Sequence, residues 1–244
     1  LDTQRVSLPM GEIWVAERDG AQFLVFLSAP GFENPGAIAE GALAVNEDLD
    51  LAGVIPWTDG GEEDGRFWLA APLFGDASFS EVVTQQDGMT PVQAATVIHQ
   101  VAVALESTGM PHLWLCGELV RLSSLDDGRH SAQVYGFGLG HQLPGYQPLD
   151  KSAPFVGAPN YMSPEQAEGK ETGSASDVYA AGVLLYEGIR TRPPFAPRSD
   201  RVSPLTTLKR QIFEKPLALH IRYGKLEHIK AYQALTMTVL AKSV

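Results

Sequence analysis

Hydrophobic and β-branched residues open the chain in two short runs separated by a polar break. The runs are Glu12–Glu17 and Ala21–Leu27, and Arg18-Asp19-Gly20 lies between them. Asp-Gly between two such runs is a strong signal for a tight β-hairpin. Apolar and small residues then recur through 36–46 with the spacing of a modest helix. The pattern predicts two antiparallel strands followed by one helix.

Two further apolar runs predict a second pair of strands. They are Leu51–Trp57 and Arg66–Leu73, and the polar run from Thr58 to Gly65 joins them. The first seventy residues therefore have the order strand, strand, helix, strand, strand, which is typical of a small sheet packed against one helix.

A longer helix is predicted after residue 89. Thr90 is a favoured N-cap residue, and Pro91 occupies the first helical position, where its missing N–H is tolerated. Gly109 is a natural C-terminal stop. Because almost every side of this helix is apolar or small, we expect it to be deeply buried.

The rest of the chain is predicted to be mainly helical. Two short strands are expected near Glu118–Leu122 and Ala132–Tyr135, around the turn at Asp126-Asp127-Gly128. Residues 136–165 are rich in Gly and Pro and lack periodicity, and a loop of this length is usually functional. Helical periodicity returns at about 175–189, 204–214 and 226–242. The order of elements predicts an α+β fold with a small N-terminal sheet and a larger helical part.

Composition narrows the class of protein. The 244 residues are 44% hydrophobic, which argues against disorder, and no apolar stretch is long enough to cross a membrane. The single cysteine, Cys116, excludes an internal disulfide and fits a reducing compartment, so we expect a cytoplasmic domain, although a longer parent protein could be membrane-anchored. The start at Leu1, without Met or a signal peptide, suggests a fragment of such a protein.

Charge is distributed unevenly along the chain. The net charge is −11, and the first hundred residues carry sixteen acids against Arg5, Arg18 and Arg66. The first lysine is Lys151, whereas residues 201–244 carry a net charge of +6. An acidic chain would not neutralise phosphates, so a nucleic-acid partner is not expected.

Several motifs, in order along the chain, resemble those of protein kinases, in particular the bacterial (Hanks-type) Ser/Thr kinase family. They are Met10–Ala16, the loop that begins at His112, Gly136-Phe137-Gly138, the segment 157–166, the helix 177–187 and Arg192-Pro193-Pro194-Phe195. The resemblance covers residues 6 to 242. It implies one bilobal kinase-like domain, with an N-lobe over residues 1–73 and a C-lobe over 74–244 that stops before the family's last helix.

The resemblance also assigns the catalytic positions, and each holds an unsuitable residue. Phe26 stands at the position of the strand lysine, and no lysine precedes Lys151 that could replace it. Trp114 replaces the catalytic base. Leu119 replaces the metal-binding asparagine, and Gly136 replaces the aspartate that is the other metal ligand.

Other positions of the nucleotide site are changed as well. Cys116 stands at the phosphate-contacting lysine of the catalytic loop, and Ala158 stands at the threonine that supports the base. In the glycine loop, Val6 and Leu8 occupy the first two glycine positions and only Gly11 is kept. Side chains there would obstruct the approach of phosphates to backbone N–H groups. We expect no nucleotide cofactor and no metal ion.

Scaffolding positions, by contrast, are retained. The resemblance implies that Asp177 holds the backbone near His112, and that His112 and Phe137 belong to an apolar stack linking the lobes. Glu40 is the best match to the helix glutamate, with a solvated helix acid equally compatible. Glu165 would lack its family partner, an arginine beyond Val244, and a buried carboxylate without a partner would lower stability.

These observations predict a pseudokinase that regulates or scaffolds other proteins, with weak or no binding of ATP·Mg. The protein partner is unidentified, and the two classes of partner considered are an active kinase and a sensor domain. Its binding surface is expected on the 136–165 segment or on the basic helices that carry Lys209, Arg210, Lys225 and Lys230.

Two alternatives stay open. The first is a divergent kinase or nucleotidyl transferase with relocated groups, which would need a cation in the N-lobe, although Arg18 and Arg66 are expected to face away from a cleft. The second is a sensor that binds a nucleotide or another small ligand in the cleft without catalysis.

Overall fold

The computed structural model describes residues 3–143, 155–197, 203–219 and 226–241. Its N-terminal part is a five-stranded antiparallel sheet with one helix against it. The strands are β1 (Thr3–Leu8), β2 (Gly11–Arg18), β3 (Ala21–Ser28), β4 (Asp59–Glu63) and β5 (Arg66–Pro72), and the helix is α1 (Pro35–Asn46). The spatial order is β1-β2-β3-β5-β4, so β4 is an edge strand.

The C-terminal part contains a small sheet and seven of the eight helices found among the described residues. The sheet consists of β6 (Ala77–Ser78), β7 (Val120–Ser124) and β8 (His130–Val134). The helices are α2 (Phe79–Gln85), α3 (Pro91–Ser107), α4 (Leu139–Gln142), α5 (Pro164–Ala167), α6 (Ser174–Arg190), α7 (Pro204–Phe213) and α8 (Leu226–Val239). The α+β fold with a helical second part is therefore confirmed.

The predicted first hairpin and its turn are confirmed. β2 pairs with β3 from Arg18 and Ala21 onward, and both turn residues have positive φ, 55° at Asp19 and 79° at Gly20. This combination is the type I′ geometry, whose twist matches that of the strands.

The predicted strand at Leu51–Trp57 is wrong. The fourth strand instead lies in the polar run at Asp59–Glu63, where it pairs along its length with β5. A strand at the edge of a sheet forms hydrogen bonds with one neighbouring strand only, and its acidic side chains can stay in water. The apolar run before it is used differently: Val54 and Trp57 are buried, and the backbone at Ile55 donates to the Val134 carbonyl in the second sheet.

Helix α3 begins as predicted but is less buried than expected. Thr90 and Gln93 form a reciprocal capping box, and Pro91 occupies the first turn. One face packs on α6 and β8. The opposite face is open, with Val92 64% exposed. The prediction of deep burial on all sides was wrong, because small and apolar residues also occur on the solvent face.

Helix α2 was not predicted, although the sequence contained a signal for it. Ser78 accepts from the backbone of Glu81, and the Glu81 carboxylate accepts from the Ser78 backbone. A Ser-x-x-Glu pattern before apolar residues is the usual sign of such a start. The later helices α6, α7 and α8 lie within about three residues of their predicted bounds. No helix in the described part of the chain is long and apolar enough to cross a membrane.

Candidate functional site

The loop after α3 is fixed by one carboxylate of α6. Asp177 accepts from the backbone N–H of His112 at 2.6 Å and from that of Leu113 at 2.8 Å. Leu113 has φ 64°, a left-handed conformation that is unfavourable for a side chain of this kind. Asp177 thus holds a strained backbone in place.

The His112 side chain is buried and links three segments. Its Nδ1 accepts from the Trp114 N–H at 3.1 Å, so the proton lies on Nε2, which donates to the Tyr135 carbonyl at 2.7 Å. The ring meets the Phe137 ring edge to face, with 4.7 Å between centroids. Burial lowers the pKa of His112, with the Asp177 charge opposing that shift. The imidazole is neutral and serves as a structural bridge.

Phe26 and Trp114 contact each other across the cleft between the two parts of the molecule. Phe26 comes from β3 and Trp114 from the loop held by Asp177, and their ring centroids are 4.8 Å apart. The Phe26 ring also packs near Phe67 of β5, at 5.8 Å. Phe26, Trp114 and Leu119 are all buried. The positions assigned to the lysine, the base and a metal ligand are therefore parts of one apolar core.

The segment assigned to the glycine loop is a tight hairpin. Val6 and Leu8 lie in β1, and Leu8 pairs with Gly11 at the start of β2. A Cβ added to Gly11 would overlap the backbone carbonyl oxygen of Leu27 and would lie 2.8 Å from the Phe26 ring. Glycine is therefore needed here because the neighbouring strand and an aromatic ring both approach its backbone closely.

Met10, at the tip of this hairpin, reaches across the cleft to the C-terminal part. Its side chain is fully buried, and its sulfur accepts from the Gly157 N–H at 3.3 Å. Gly157 has φ 92° and lies beside the side chain of Met162. The hairpin tip is thus attached to the segment that contains Ala158, itself buried.

Gly136 occupies a backbone conformation that suits glycine. Its φ is 99°, and an added Cβ would lie 3.0 Å from Leu119 and 3.1 Å from the His112 ring. An aspartate at this position would be strained and crowded. In the described part of the chain no group of three or more His, Cys, Asp or Glu side chains is placed to hold a metal ion.

The two glutamates named from the sequence have different surroundings. Glu40 is exposed on α1, as expected of a solvated helix acid. Glu165 is only half-buried and accepts from the Ser176 hydroxyl at 2.8 Å. The expectation that Glu165 is a buried carboxylate without a partner was wrong, because a nearby serine of α6 supplies a donor that the family comparison did not suggest.

A buried acidic cluster behind the loop was missed at the level of sequence. Glu187 of α6 accepts from the Ser80 hydroxyl at 2.9 Å and from the Tyr161 hydroxyl at 2.8 Å. Burial, and then the nearby Glu118 carboxylate, raise the pKa of Glu187 to about 8. Burial also raises the pKa of Cys116, so this thiol is unreactive. The sequence contained a signal for this cluster, because Glu187 is a single acid within the apolar run of α6.

Comparison with known proteins agrees with this architecture. Residues 43–223 match the family described as the protein kinase domain. The match begins within α1, so β1 to β3, with Gly11 and Phe26, lie outside it.

Several bacterial serine/threonine kinases are similar to the chain. PknD of Mycobacterium tuberculosis is 27% identical over 209 residues, 80% of this chain and 30% of PknD. PkaA of Streptomyces coelicolor is 40% identical over 130 residues, 52% of this chain and 24% of PkaA. A probable serine/threonine-protein kinase of Corynebacterium efficiens is 31% identical over 168 residues, 66% of this chain and 24% of that protein. The chain thus spans less than a third of the length of these curated relatives.

The family match covers well over half of the chain, and it includes the loop at His112, the helix with Asp177 and the buried core between them. The chain belongs to the protein kinase domain family, and its relatives are bacterial serine/threonine kinases.

Proposed function

We propose that this kinase domain is a pseudokinase, which acts by binding a protein partner and neither binds ATP·Mg appreciably nor transfers phosphate. The contact between Phe26 and Trp114 carries the proposal. In active members of the family the strand lysine pairs with the nucleotide's phosphates and the loop aspartate orients the acceptor hydroxyl, so the reacting group lies between them. Here the two positions hold aromatic rings 4.8 Å apart between centroids.

Opening the cleft for a nucleotide would be unfavourable. Phe26 and Trp114 would lose their mutual contact and become exposed, at about 1.5–3 kcal/mol for each large apolar side chain. The Met10 sulfur would also leave the Gly157 N–H. A nucleotide would have to provide this free energy through contacts with a site whose assigned phosphate- and metal-binding positions hold Phe26, Leu119 and Gly136.

The arginines described in the N-lobe are already engaged elsewhere, which does not favour an enzyme with relocated groups. Arg18 pairs with Asp59 at 3.0 Å and lies over the Phe23 ring. Arg66 is 3.7 Å from the Glu12 carboxylate and also donates to the Ser28 carbonyl. Both arginines therefore pair with acids of the sheet, and Arg66 also donates a hydrogen bond to the sheet's backbone.

A surface on the C-terminal part supports the role in partner binding. Phe213, at the end of α7, is 79% exposed, and Leu205 and Leu217 nearby in the chain are also exposed. The basic side chain of Lys209 lies exposed on the same helix. A large exposed aromatic residue in such a setting is typical of a protein contact. Of the other residues expected at a partner surface, Lys230 is exposed, whereas Lys225 and residues 144–154 lie outside the described residues.

Nucleotide binding is the direct test. Thermal unfolding is followed with and without millimolar ATP and Mg²⁺, with the kinase domain of PknD as the positive control. We expect a shift in Tm below about 1 °C for this chain, since a ligand stabilises only in proportion to its occupancy of the folded state. A shift of several degrees, or transfer of labelled γ-phosphate to a protein substrate, would contradict the proposal.

The scaffolding role has a separate test. The chain carrying Phe213→Asp is compared with one carrying Val92→Asp, a substitution at another exposed position, on α3. We expect Phe213→Asp to abolish co-purification of a reproducible partner and Val92→Asp to leave it unchanged. Equal recovery with both variants would argue against α7 as the binding surface.

A further inference from the structure

An open groove lies where α1 passes into the connection to β4. Helix α1 ends at Asn46, and β4 begins at Asp59. The groove has a volume of about 660 Å³, which is within the range of ligand sites in proteins. Part of its lining is apolar and part carries carboxylates, and these residues are Leu43, Leu49 and Pro56, and Glu47, Asp48 and Asp50. We call this site the acidic groove.

The three carboxylates of the acidic groove are exposed and lie within four positions of one another in the chain. None of the ion pairs found among the described residues includes Glu47, Asp48 or Asp50. Like charges this close in sequence repel one another, and a cation placed among them relieves the repulsion. The acids therefore favour a positively charged occupant.

Trp57 also lines the acidic groove, and it supplies a second, independent observation. Its side chain is only 2% exposed, and its Nε1–H has no hydrogen-bond partner within the part of the chain that the structure describes. An N–H removed from water without an acceptor is unfavourable, and an indole nitrogen can only donate. This donor favours an occupant that brings an acceptor oxygen.

The position of Trp57 is fixed by one buried side chain, that of Asn46. The Asn46 Oδ1 accepts from the Trp57 backbone N–H at 3.1 Å. The Asn46 Nδ2 donates to the Ala42 carbonyl at 2.7 Å and to the Phe137 carbonyl at 2.9 Å. The floor of the acidic groove is thus held by α1 and by the C-terminal part. A groove fixed in this way binds with a smaller loss of conformational freedom than a mobile one.

We propose that the acidic groove is a docking site for a basic peptide segment of a partner protein. Its lysine or arginine side chains pair with the carboxylates, an apolar side chain packs on the apolar part of the lining, and a backbone carbonyl accepts from the Trp57 indole. A simple cation would meet only the first of these three requirements. The inference goes beyond the proposed function, because it uses no residue of α7 and none of the side chains that close the cleft.

The test follows binding of a synthetic five-residue peptide that alternates arginine and leucine and is blocked at both ends. The chain is labelled with ¹⁵N, and Trp57→Phe identifies the Trp57 indole resonance by its loss. We expect this resonance to move downfield on binding, because the N–H gains an acceptor. The Trp114 indole also lacks a partner among the described residues but packs against Phe26 in the cleft, so its resonance should not move.

Matched variants separate the acidic groove from general attraction by an acidic protein. Asp48→Asn combined with Asp50→Asn should raise the Kd of the peptide at least about fivefold, because two pairing partners are lost. Asp126→Asn combined with Asp127→Asn removes the same charge from an exposed turn and should raise it less than about twofold. A peptide with serine in place of leucine should bind at least about fivefold more weakly, because its side chains bury less apolar surface.

Equal weakening in the two double variants would mean that net charge alone attracts the peptide, and it would overturn the proposal. Equal affinity of the serine peptide, no binding of the leucine peptide at millimolar concentration, or a Trp57 resonance that stays in place at saturation would overturn it too. All four substituted aspartates are exposed, so these variants are expected to fold.

The two proposals can fail separately. Binding of ATP·Mg by the unsubstituted chain would contradict the proposed function and leave the expected binding at the acidic groove unchanged. Absence of peptide binding at the acidic groove would remove this docking site, with the closed cleft and the α7 surface still to be judged by their own tests.

Discussion

The loop after α3 contains two sets of residues, and only the first makes a contact that the kinase fold implies. At its start, the backbone of His112 and Leu113 is bonded by Asp177, as the kinase fold implies. Trp114, the next residue, and Leu119 further along the loop have side chains buried in the core. The contact with Asp177 is made by backbone N–H groups, whereas the roles assigned to the catalytic positions depend on their side chains. The shape of the loop and the chemistry available at its side-chain positions are thus specified by different atoms.

The same contrast extends across the cleft. A lysine or an aspartate facing an empty cleft would be solvated, and the two lobes would gain little by closing. Phe26 and Met10 instead gain by closure, because they leave water and pack on the opposite part of the molecule. The apolar cleft is therefore a stabilising interface, and four substitutions test how its contribution to stability differs from those of the scaffold and the surface.

The largest effect is expected on the scaffold side. Asp177→Ala removes two charge-assisted hydrogen bonds and leaves the N–H groups of His112 and Leu113 without this acceptor, so we expect a loss of about 3–6 kcal/mol of unfolding free energy. Urea denaturation measures it. Asp127→Ala, at the exposed turn between β7 and β8, is the control and should change the midpoint little. Similar midpoints for the two variants would contradict the supporting role of Asp177.

On the cleft side, Phe26→Ala should lower the unfolding free energy by about 3–4 kcal/mol, because it leaves a cavity between Phe67 and Trp114. Phe213→Ala, at the exposed end of α7, should change it by less than about 0.5 kcal/mol. Urea denaturation again provides the measurement. A loss below about 1 kcal/mol for Phe26→Ala would mean that the ring is not part of the core.

A smaller effect is expected from Glu187, a buried acid that belongs neither to the scaffold contact of Asp177 nor to the apolar cleft. Because the folded-state pKa of Glu187 is raised to about 8, the folded protein binds more protons than the unfolded chain between about pH 4.5 and 8. This contribution to stability is full at low pH and is lost as pH rises, by up to about 1.4 kcal/mol per pH unit. Glu187→Gln should flatten this slope.

The measurement is the urea midpoint at pH 5.5 and at pH 7.5, with Glu40→Gln as the control at an exposed position. The nearby Glu118, whose pKa burial also raises, should leave a residual slope in Glu187→Gln. A slope identical in Glu187→Gln and in the unsubstituted protein would show that Glu187 ionises normally.

The smallest effect belongs to the exposed ion pair of the sheet. Arg18→Ala breaks a pair with Asp59 in which the arginine side chain is 66% exposed, so we expect a loss of about 0–1 kcal/mol that shrinks as salt is added. Denaturation at low and at high salt measures it. A loss comparable to that of Phe26→Ala would contradict the division between core and surface.

The order of motifs was enough to predict the fold, because local periodicity and family spacing both survive in the sequence. Strand β4 could not be predicted, since its acidic residues form a strand only through pairing with β5. The contacts of the cleft were equally inaccessible. Phe26 meets Trp114, and Met10 meets Gly157, across long separations in sequence that no pattern along the chain encodes.

The close packing around Gly136 limits which single substitutions the core can accept. An aspartate introduced there would crowd Leu119 and the His112 ring before it could benefit from any ion. A lysine at 26 would likewise be placed against Trp114, with the acid on α1 turned outward. A single substitution at either position would therefore lower the stability of the fold without completing the set of groups that phosphoryl transfer requires.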